Sequence, residues 1–283
     1  MLMYKIGLST CNKVISEKLF ADYRKAEIDA MEISMEADQY DELNFALTSK
    51  SAKQYDIDLW SCHLPFGPFH RFDISNSDLA RNTLAYFSEL IKKASDIGIN
   101  KFIVHASGEP IKSDREERMK QAKESLAELA EIASANGALI AVEDLPRTCL
   151  GNHSEEIAEL LNAHSALKVC FDTNHLLSED ASQFIMKLGD KIVTTHISDY
   201  DFVNERHWLP GEGKLNWNEI LNAFQAINYQ GVWMYEIAFA CPKTILRERD
   251  LTCEDFMLNA KELFDGKHPT VISKQKPNLG FWE

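Results

Sequence analysis

The 283-residue sequence contains no apolar run approaching the roughly 20 residues that cross a bilayer, so a helical membrane span is not expected. It has six cysteines, Cys11, Cys62, Cys149, Cys170, Cys241 and Cys253, but no CxxC pair. Scattered in this way they argue against a disulfide framework or a thiolate zinc site, and for reduced, mostly buried thiols. Basic charge is scarce: 30 Lys and Arg stand against 44 Asp and Glu, a net charge of −14. Nucleic-acid binders neutralise phosphates with Lys and Arg, so no nucleic-acid partner is expected. Nor does any Ser-, Gly- or Pro-rich tract divide the chain, which reads as one domain. The opening run Lys5-Ile6-Gly7-Leu8-Ser9-Thr10 resembles a strand and not a basic-then-apolar leader, and the expectation is a cytoplasmic protein with no membrane partner.

What is present is ordinary globular material, 45% hydrophobic and 26% charged, enough for a sizeable core. A short β-rich run followed by an amphipathic helical stretch recurs along the chain. The strand candidates are 5–10, 30–34, 59–65, 101–107, 139–145, 167–173, 192–199 and 231–237. Several are near-continuous apolar runs (Phe102-Ile103-Val104, Leu139-Ile140-Ala141-Val142), as in strands covered on both faces. Between them, Leu84, Phe87, Ile91 and Ala94 form one helical stripe that Gly98 ends. Met119, Ala122, Leu126, Leu129 and Ala133 form another, with a Ser113/Glu116 capping box before it and Gly137 after it. Asn216 is placed to cap a helix striped by Trp217, Ile220, Leu221 and Phe224. Eight such units give the fold class α/β, a single (β/α)₈ TIM barrel over residues 1–266. Residues 267–283, which include Pro277 and Gly280 and end in Phe281-Trp282-Glu283, show no period and read as a tail over the barrel or at a subunit contact.

Six consecutive strand candidates end in a side chain fit for metal or acid/base chemistry: His63, His105, Glu143, Asp172, His196 and Glu236. Their separations are 42, 38, 29, 24 and 40 residues. That is about one βα unit each, and side chains at the same end of successive strands converge on the barrel axis. Any one of them alone reads as a bonded core histidine or a loop carboxylate. Six in register do not, because buried carboxylates and imidazoles together are costly unless a cation compensates them. Mixed nitrogen and oxygen donors without Cys suit one divalent ion, Mn²⁺, Zn²⁺, Co²⁺, Fe²⁺ or Mg²⁺. Two glutamates, an aspartate and a histidine leave coordination positions open for substrate oxygens.

Other residues leave alternatives open. His175, three beyond Asp172, is a helix cap or a substrate contact. In Glu205-Arg206-His207, Arg206 or His207 reaches a substrate oxygen or belongs to a solvated loop, and Pro210-Gly211-Glu212-Gly213 permits a tight turn nearby. Phe66, Phe69 and Phe72 read as packing under a loop, or as cover for a pocket.

The motifs SCHLPFG, FIVHASGEP, IAVEDLP, VCFDTNHLL, THISDYD, HWLPGEG and WMYEI occur in this order between residues 4 and 266. In that order the chain resembles the xylose isomerase-like barrel superfamily. The likeness is to its sugar isomerase/epimerase branch, which is related to endonuclease IV-type repair enzymes. The resemblance implies a metal held by Glu143, Asp172, His196 and Glu236, with His175 and Arg206 orienting a sugar or polyol; His63, His105, His175 and His207 match further ligands of the repair enzymes, and in a sugar-acting chain His63, His105 and His207 are candidates to contact substrate as well. It also implies isomerisation or epimerisation of a ketose through an enediolate, with Glu143 and Glu236 exchanging the proton, and a homodimer. A dehydratase or lyase is the alternative on the same scaffold; a non-catalytic sugar-binding barrel and an endonuclease IV-like multi-zinc phosphodiesterase are further rivals. The repair enzymes place Asp two residues before their last histidine ligand. Here that place is Glu205, a departure that together with the −14 charge argues against the nuclease.

Overall fold

A computed structural model describes residues 2–11, 13–66 and 71–276. Eight parallel strands form the barrel: β1 (Ile6–Ser9), β2 (Ala30–Ile33), β3 (Asp58–His63), β4 (Lys101–His105), β5 (Leu139–Glu143), β6 (Lys168–Asp172), β7 (Ile192–His196) and β8 (Trp233–Tyr235). Each pairs with its sequence neighbour from β1 to β7, and β8 returns to pair with β1. Between β7 and β8 the ring is completed by a parallel bridge of Ile197 with Tyr235, where Ile197 N–H donates to Met234 O at 2.8 Å. The chain is thus a single (β/α)₈ barrel, as the periodicity predicts.

Strand alternation decides what faces inward. In β4, Phe102 and Val104 join the core between strands and helices, whereas Ile103 packs with Ala141 and Cys170 inside the barrel. A lower interior layer holds Ala30, Val232 and Met234 against Trp60. Because successive side chains alternate faces, His105 shares the inward parity of Ile103, Glu143 that of Ala141, Asp172 that of Cys170, and Glu236 that of Met234. His105, Glu143 and Asp172 end their strands and Glu236 directly follows β8, so parity and position together put them at the C-terminal mouth.

Helix ends are punctuated largely as expected. The helix Ser77–Ser95 is followed by Gly98 at φ +99, the helix Arg115–Ala135 by Gly137 at φ +69, and Asn216 caps Trp217–Ala226. The Ser113/Glu116 capping box is not formed. Asp114 is the N-cap of Arg115–Ala135 and makes no side-chain cap bond; its carboxylate instead faces Arg118 Nη1 at 3.7 Å. Of the tail, Ser273–Gln275 (β10) pairs antiparallel with Ile245–Arg247 (β9), and Pro269 lies against Gly211. Pro277, Gly280 and Phe281-Trp282-Glu283 lie outside the described residues. The six cysteines are free, four of them buried. No helix among the described residues is long and apolar enough to cross a membrane.

Candidate metal centre at the barrel mouth

Five of the six expected residues are the last residues of β3 to β7, and Glu236 directly follows β8. The ladders set neighbours side by side: His105 pairs with Glu143, and Asp172 with His196. Glu143 is the hub. Its Oε2 lies 3.0 Å from Nε2 of both His63 and His105, and its Oε1 lies 2.7 Å from His196 Nδ1. His196 Nδ1 also lies 3.4 Å from Glu236 Oε2 and 4.0 Å from Asp172 Oδ2. Ligand atoms of Glu143, Asp172, His196 and Glu236 all fall within 4.8 Å of one another.

The outer partners of the histidines fix which nitrogen points inward. His63 Nδ1 donates to Leu64 O (2.8 Å), His175 Nδ1 to Asp144 O (2.8 Å) and His207 Nδ1 to Glu236 O (3.2 Å), which leaves Nε2 of His175 and His207 toward the cavity and that of His63 on Glu143. His196 is reversed: Nε2 contacts both oxygens of Glu32 at 3.0 and 3.1 Å and Nδ1 faces the carboxylates. Metal-ligating histidines are oriented in this way by a carbonyl or carboxylate on the far nitrogen.

Charge at the centre is unbalanced. Burial pushes Glu143 up, but the charge of His196 and bonds from His105, His196 and His63 hold its carboxyl well below the usual range. His196 is held well above the ordinary imidazole range in spite of burial, by Cys170, Glu236, Glu32 and Glu143. Asp172 has no such company: burial raises it to about 6, against the pull of His175 and His207. Its Oδ1 accepts from Asn174 N (2.6 Å), while its Oδ2 is buried without a hydrogen-bond partner. An orphaned carboxylate oxygen beside three other donors is what a divalent cation would satisfy, and the donor set of three carboxylates and one imidazole fits such an ion.

Above the centre opens a cavity of about 580 Å³. His105, Glu143, His175, His207 and Glu236 line it, together with Cys11, Phe66, Glu109, Arg147 and Glu205. Phe66 stacks on His105 with ring centroids 4.2 Å apart, so it covers the pocket; Phe72 lines the cavity and packs on Tyr86 and Phe87; Phe69 lies outside the described residues. A second set of donors is shared by the loops after β6 and β7. His175, Glu205 and His207 bring ligand atoms within 4.8 Å, so the glutamate at 205 joins the two histidines in spite of its extra methylene. His63, His105 and Glu143 form a third such group.

Arg206 is not brought to the cavity. Its side chain is 1% exposed, its Nε donates to Asp201 Oδ2 at 3.0 Å, and its backbone N–H donates to Asn174 Oδ1. The guanidinium at the mouth belongs to Arg147, which sequence reasoning missed and for which the loop Pro146-Arg147-Thr148 carries no signal. Glu32 was missed too. It is the one charged residue of the strand Ala30-Met31-Glu32-Ile33, fully buried, and it also accepts from Ser61 Oγ at 2.7 Å. A lone carboxylate at inward parity in an apolar strand was the available signal.

The family profile for the xylose isomerase-like TIM barrel matches residues 20–250. Among curated relatives, an uncharacterized protein of Methanocaldococcus jannaschii is 25% identical over 232 residues, covering 79% of this chain and 89% of its own. The D-psicose 3-epimerase of Enterocloster bolteae is 25% identical over 244 residues, 78% of either chain. Among solved structures, a D-tagatose 3-epimerase-like protein superposes with a TM-score of 0.77 at 22% identity, covering 93% of this chain and 96% of that one. That likeness shows a shared fold.

Proposed function

This chain belongs to the xylose isomerase-like TIM-barrel family, and from that premise and the geometry of its mouth we propose that it is a metal-dependent sugar epimerase or isomerase acting beside the carbonyl of a ketose. The observation that carries the reading is the group Glu143, Asp172, His196 and Glu236, closed within 4.8 Å around the orphaned Asp172 Oδ2. Glu143, Asp172, His196 and Glu236 would hold a divalent ion, which would supply Lewis acidity to substrate oxygens. Glu143, at the end of β5, and Glu236, just beyond β8 three strands further round the ring, take and return the proton on the carbon beside that carbonyl. Asp172 and His196 hold charge and geometry. The Nε2 atoms of His105, His175 and His207, which line the cavity, meet sugar hydroxyls, while His63 holds Glu143 from beneath. Phe66 keeps bulk water from the reacting carbon. The curated epimerase relative is named for D-psicose, so D-psicose and D-tagatose are the first substrates to try.

The test is wash-in of solvent deuterium at the carbon beside the carbonyl, followed by NMR with the metal-loaded enzyme. Exchange accompanied by a new epimer, and absent in Glu236→Gln, is expected. Exchange unaffected in Glu236→Gln would remove the proton-transfer assignment.

A second reading is favoured by one observation, the three adjoining donor groups centred on His105, His196 and His207. Such a row of groups suits several ions and phosphodiester hydrolysis. It requires two or three ions per chain and cleavage of a phosphodiester, and the net charge of −14 works against a polyanionic substrate.

A further inference from the structure

Arg147 is the only Lys or Arg among the described residues that line the cavity, and every part of its guanidinium is engaged. Its Nε donates to Glu109 Oε1 at 2.8 Å, and its Nη2 contacts the same oxygen. Nη1 donates to Asn204 Oδ1 at 2.7 Å, and Nη2 to Glu205 Oε1 at 3.1 Å. The other oxygen of Glu205 lies 3.4 Å from His175 Nε2. One carboxylate is therefore shared between a fixed monocation and the loop-held donor group. Asn204 Oδ1 also accepts from Glu205 N at 2.9 Å, tying the arginine to the backbone of its partner.

The backbone is arranged to keep it there. Arg147 has φ +55, in the left-handed region that non-glycine residues seldom enter, and Asn152 Nδ2 donates to its carbonyl at 2.7 Å. His207, on the far side of the same group, has φ +50, with its N–H donating to Asn174 Oδ1. Two strained residues converging on one carboxylate mark a place where the surrounding structure imposes the conformation.

We infer that Arg147 is a resident cation on Glu205 that keeps the His175–Glu205–His207 group from taking up a metal ion, so that the barrel mouth holds a single ion at Glu143, Asp172, His196 and Glu236. The inference rests on the metal-dependent reading above. A divalent ion at the loop group would share the Glu205 carboxylate with a positive guanidinium, and like charges at that separation repel strongly in a partly buried site. Glu205 also loses one lone pair direction to Nη2. With no ion there, Nε2 of His175 and of His207 stays available to hydroxyls. Arg147 is thus a positioning residue that sets how many ions the centre takes.

Metal content decides this independently of turnover. Protein stripped with chelator is dialysed against excess Zn²⁺ or Co²⁺, and bound metal is counted by elemental analysis, with the Co²⁺ visible spectrum as a second readout. One ion is expected in the native chain and in Arg147→Lys, two in Arg147→Met and Arg147→Gln, and one again in Arg147→Met/His207→Ala. Second-site affinity rises on the order of tenfold or more once the charge is removed. Arg147→Gln keeps N–H donors for Glu109 and guards against loop collapse, and circular dichroism verifies folding of each variant. One ion in both neutral variants overturns the inference and leaves the epimerase reading standing. Two or more ions in the native chain, one of them lost in His207→Ala alone, also overturn it and favour the multi-metal reading. No ion in any of the proteins overturns both the inference and the reading on which it rests.

Discussion

Glu143 and Glu205 face one cavity, and they are held there by different means. Glu143 ends β5, lies in ladder register with His105, and has a side chain 1% exposed among three imidazoles. Glu205 sits on the loop after β7, its side chain is 31% exposed, and burial is outweighed by His175, His207 and Arg147 in keeping its carboxyl far below the usual range. A strand-end residue is positioned by backbone hydrogen bonds on both sides, so its orientation survives the loss of any one side-chain contact. A loop residue has only its side-chain partners. The strand-held half of the centre is therefore suited to fixed chemistry, and the loop-held half to adjustment of what enters and how many cations stay.

Four experiments bear on that contrast, and the largest effect belongs to the strand-held half. Glu236→Gln is expected to lower turnover by about a thousandfold or more, as removal of a general acid/base commonly does, with the fold intact by circular dichroism. Residual activity above a tenth of the native rate would show that Glu236 only binds. Next comes the brace beneath the loop half, where Arg247 Nη2 donates to Glu212 Oε2 at 2.8 Å and both side chains are fully buried. Arg247→Met removes the buried cation from Glu212, which keeps the Leu209 N–H at 2.9 Å, and is expected to cost about 3 kcal/mol of unfolding free energy. Urea denaturation reads this, and a loss below about 1 kcal/mol would mean the loop is not braced there.

Third, Glu32→Gln touches no substrate but replaces the charged acceptor on His196 Nε2 by a neutral amide, so metal affinity is expected to fall by about 10- to 100-fold. Competition with a chelating dye measures it, and an unchanged dissociation constant would show that the ladder alone orients His196. The smallest effect is that of pH. His196 without metal is held above its ordinary range, so it keeps its proton until pH rises past that range, and a ligand must lose that proton. Affinity therefore increases with pH through and above about 6.5 and falls on acidification. Calorimetric titration in buffers of different protonation enthalpy should show protons released on binding. Proton uptake would contradict the assignment.

Much of the strand-held half could be read in the sequence because one period governs it. A βα unit recurs about every 35 residues, and strand parity then turns His63, His105, Glu143, Asp172, His196 and Glu236 the same way. The Ser113/Glu116 capping box failed for a local reason: the helix begins one residue later, with Asp114 as its N-cap, and Asp114 faces Arg118. Arg206 failed for a tertiary one. Its neighbour His207 reaches the cavity, whereas Arg206 turns back to Asp201, and no spacing rule tells two adjacent loop residues apart.

By itself, then, the amino-acid sequence determined the barrel, the end of it where the candidate centre lies and most of the donors there, because alternation and the βα repeat are properties of the chain. Tertiary structure alone decided the roles of Glu32 and Arg147. Glu32 meets His196 across 164 positions, and Arg147 meets Glu109 and Glu205 across 38 and 58. Such contacts follow from where closure of the ring and the conformation of three loops bring them together, and that is set by packing rather than by any local pattern.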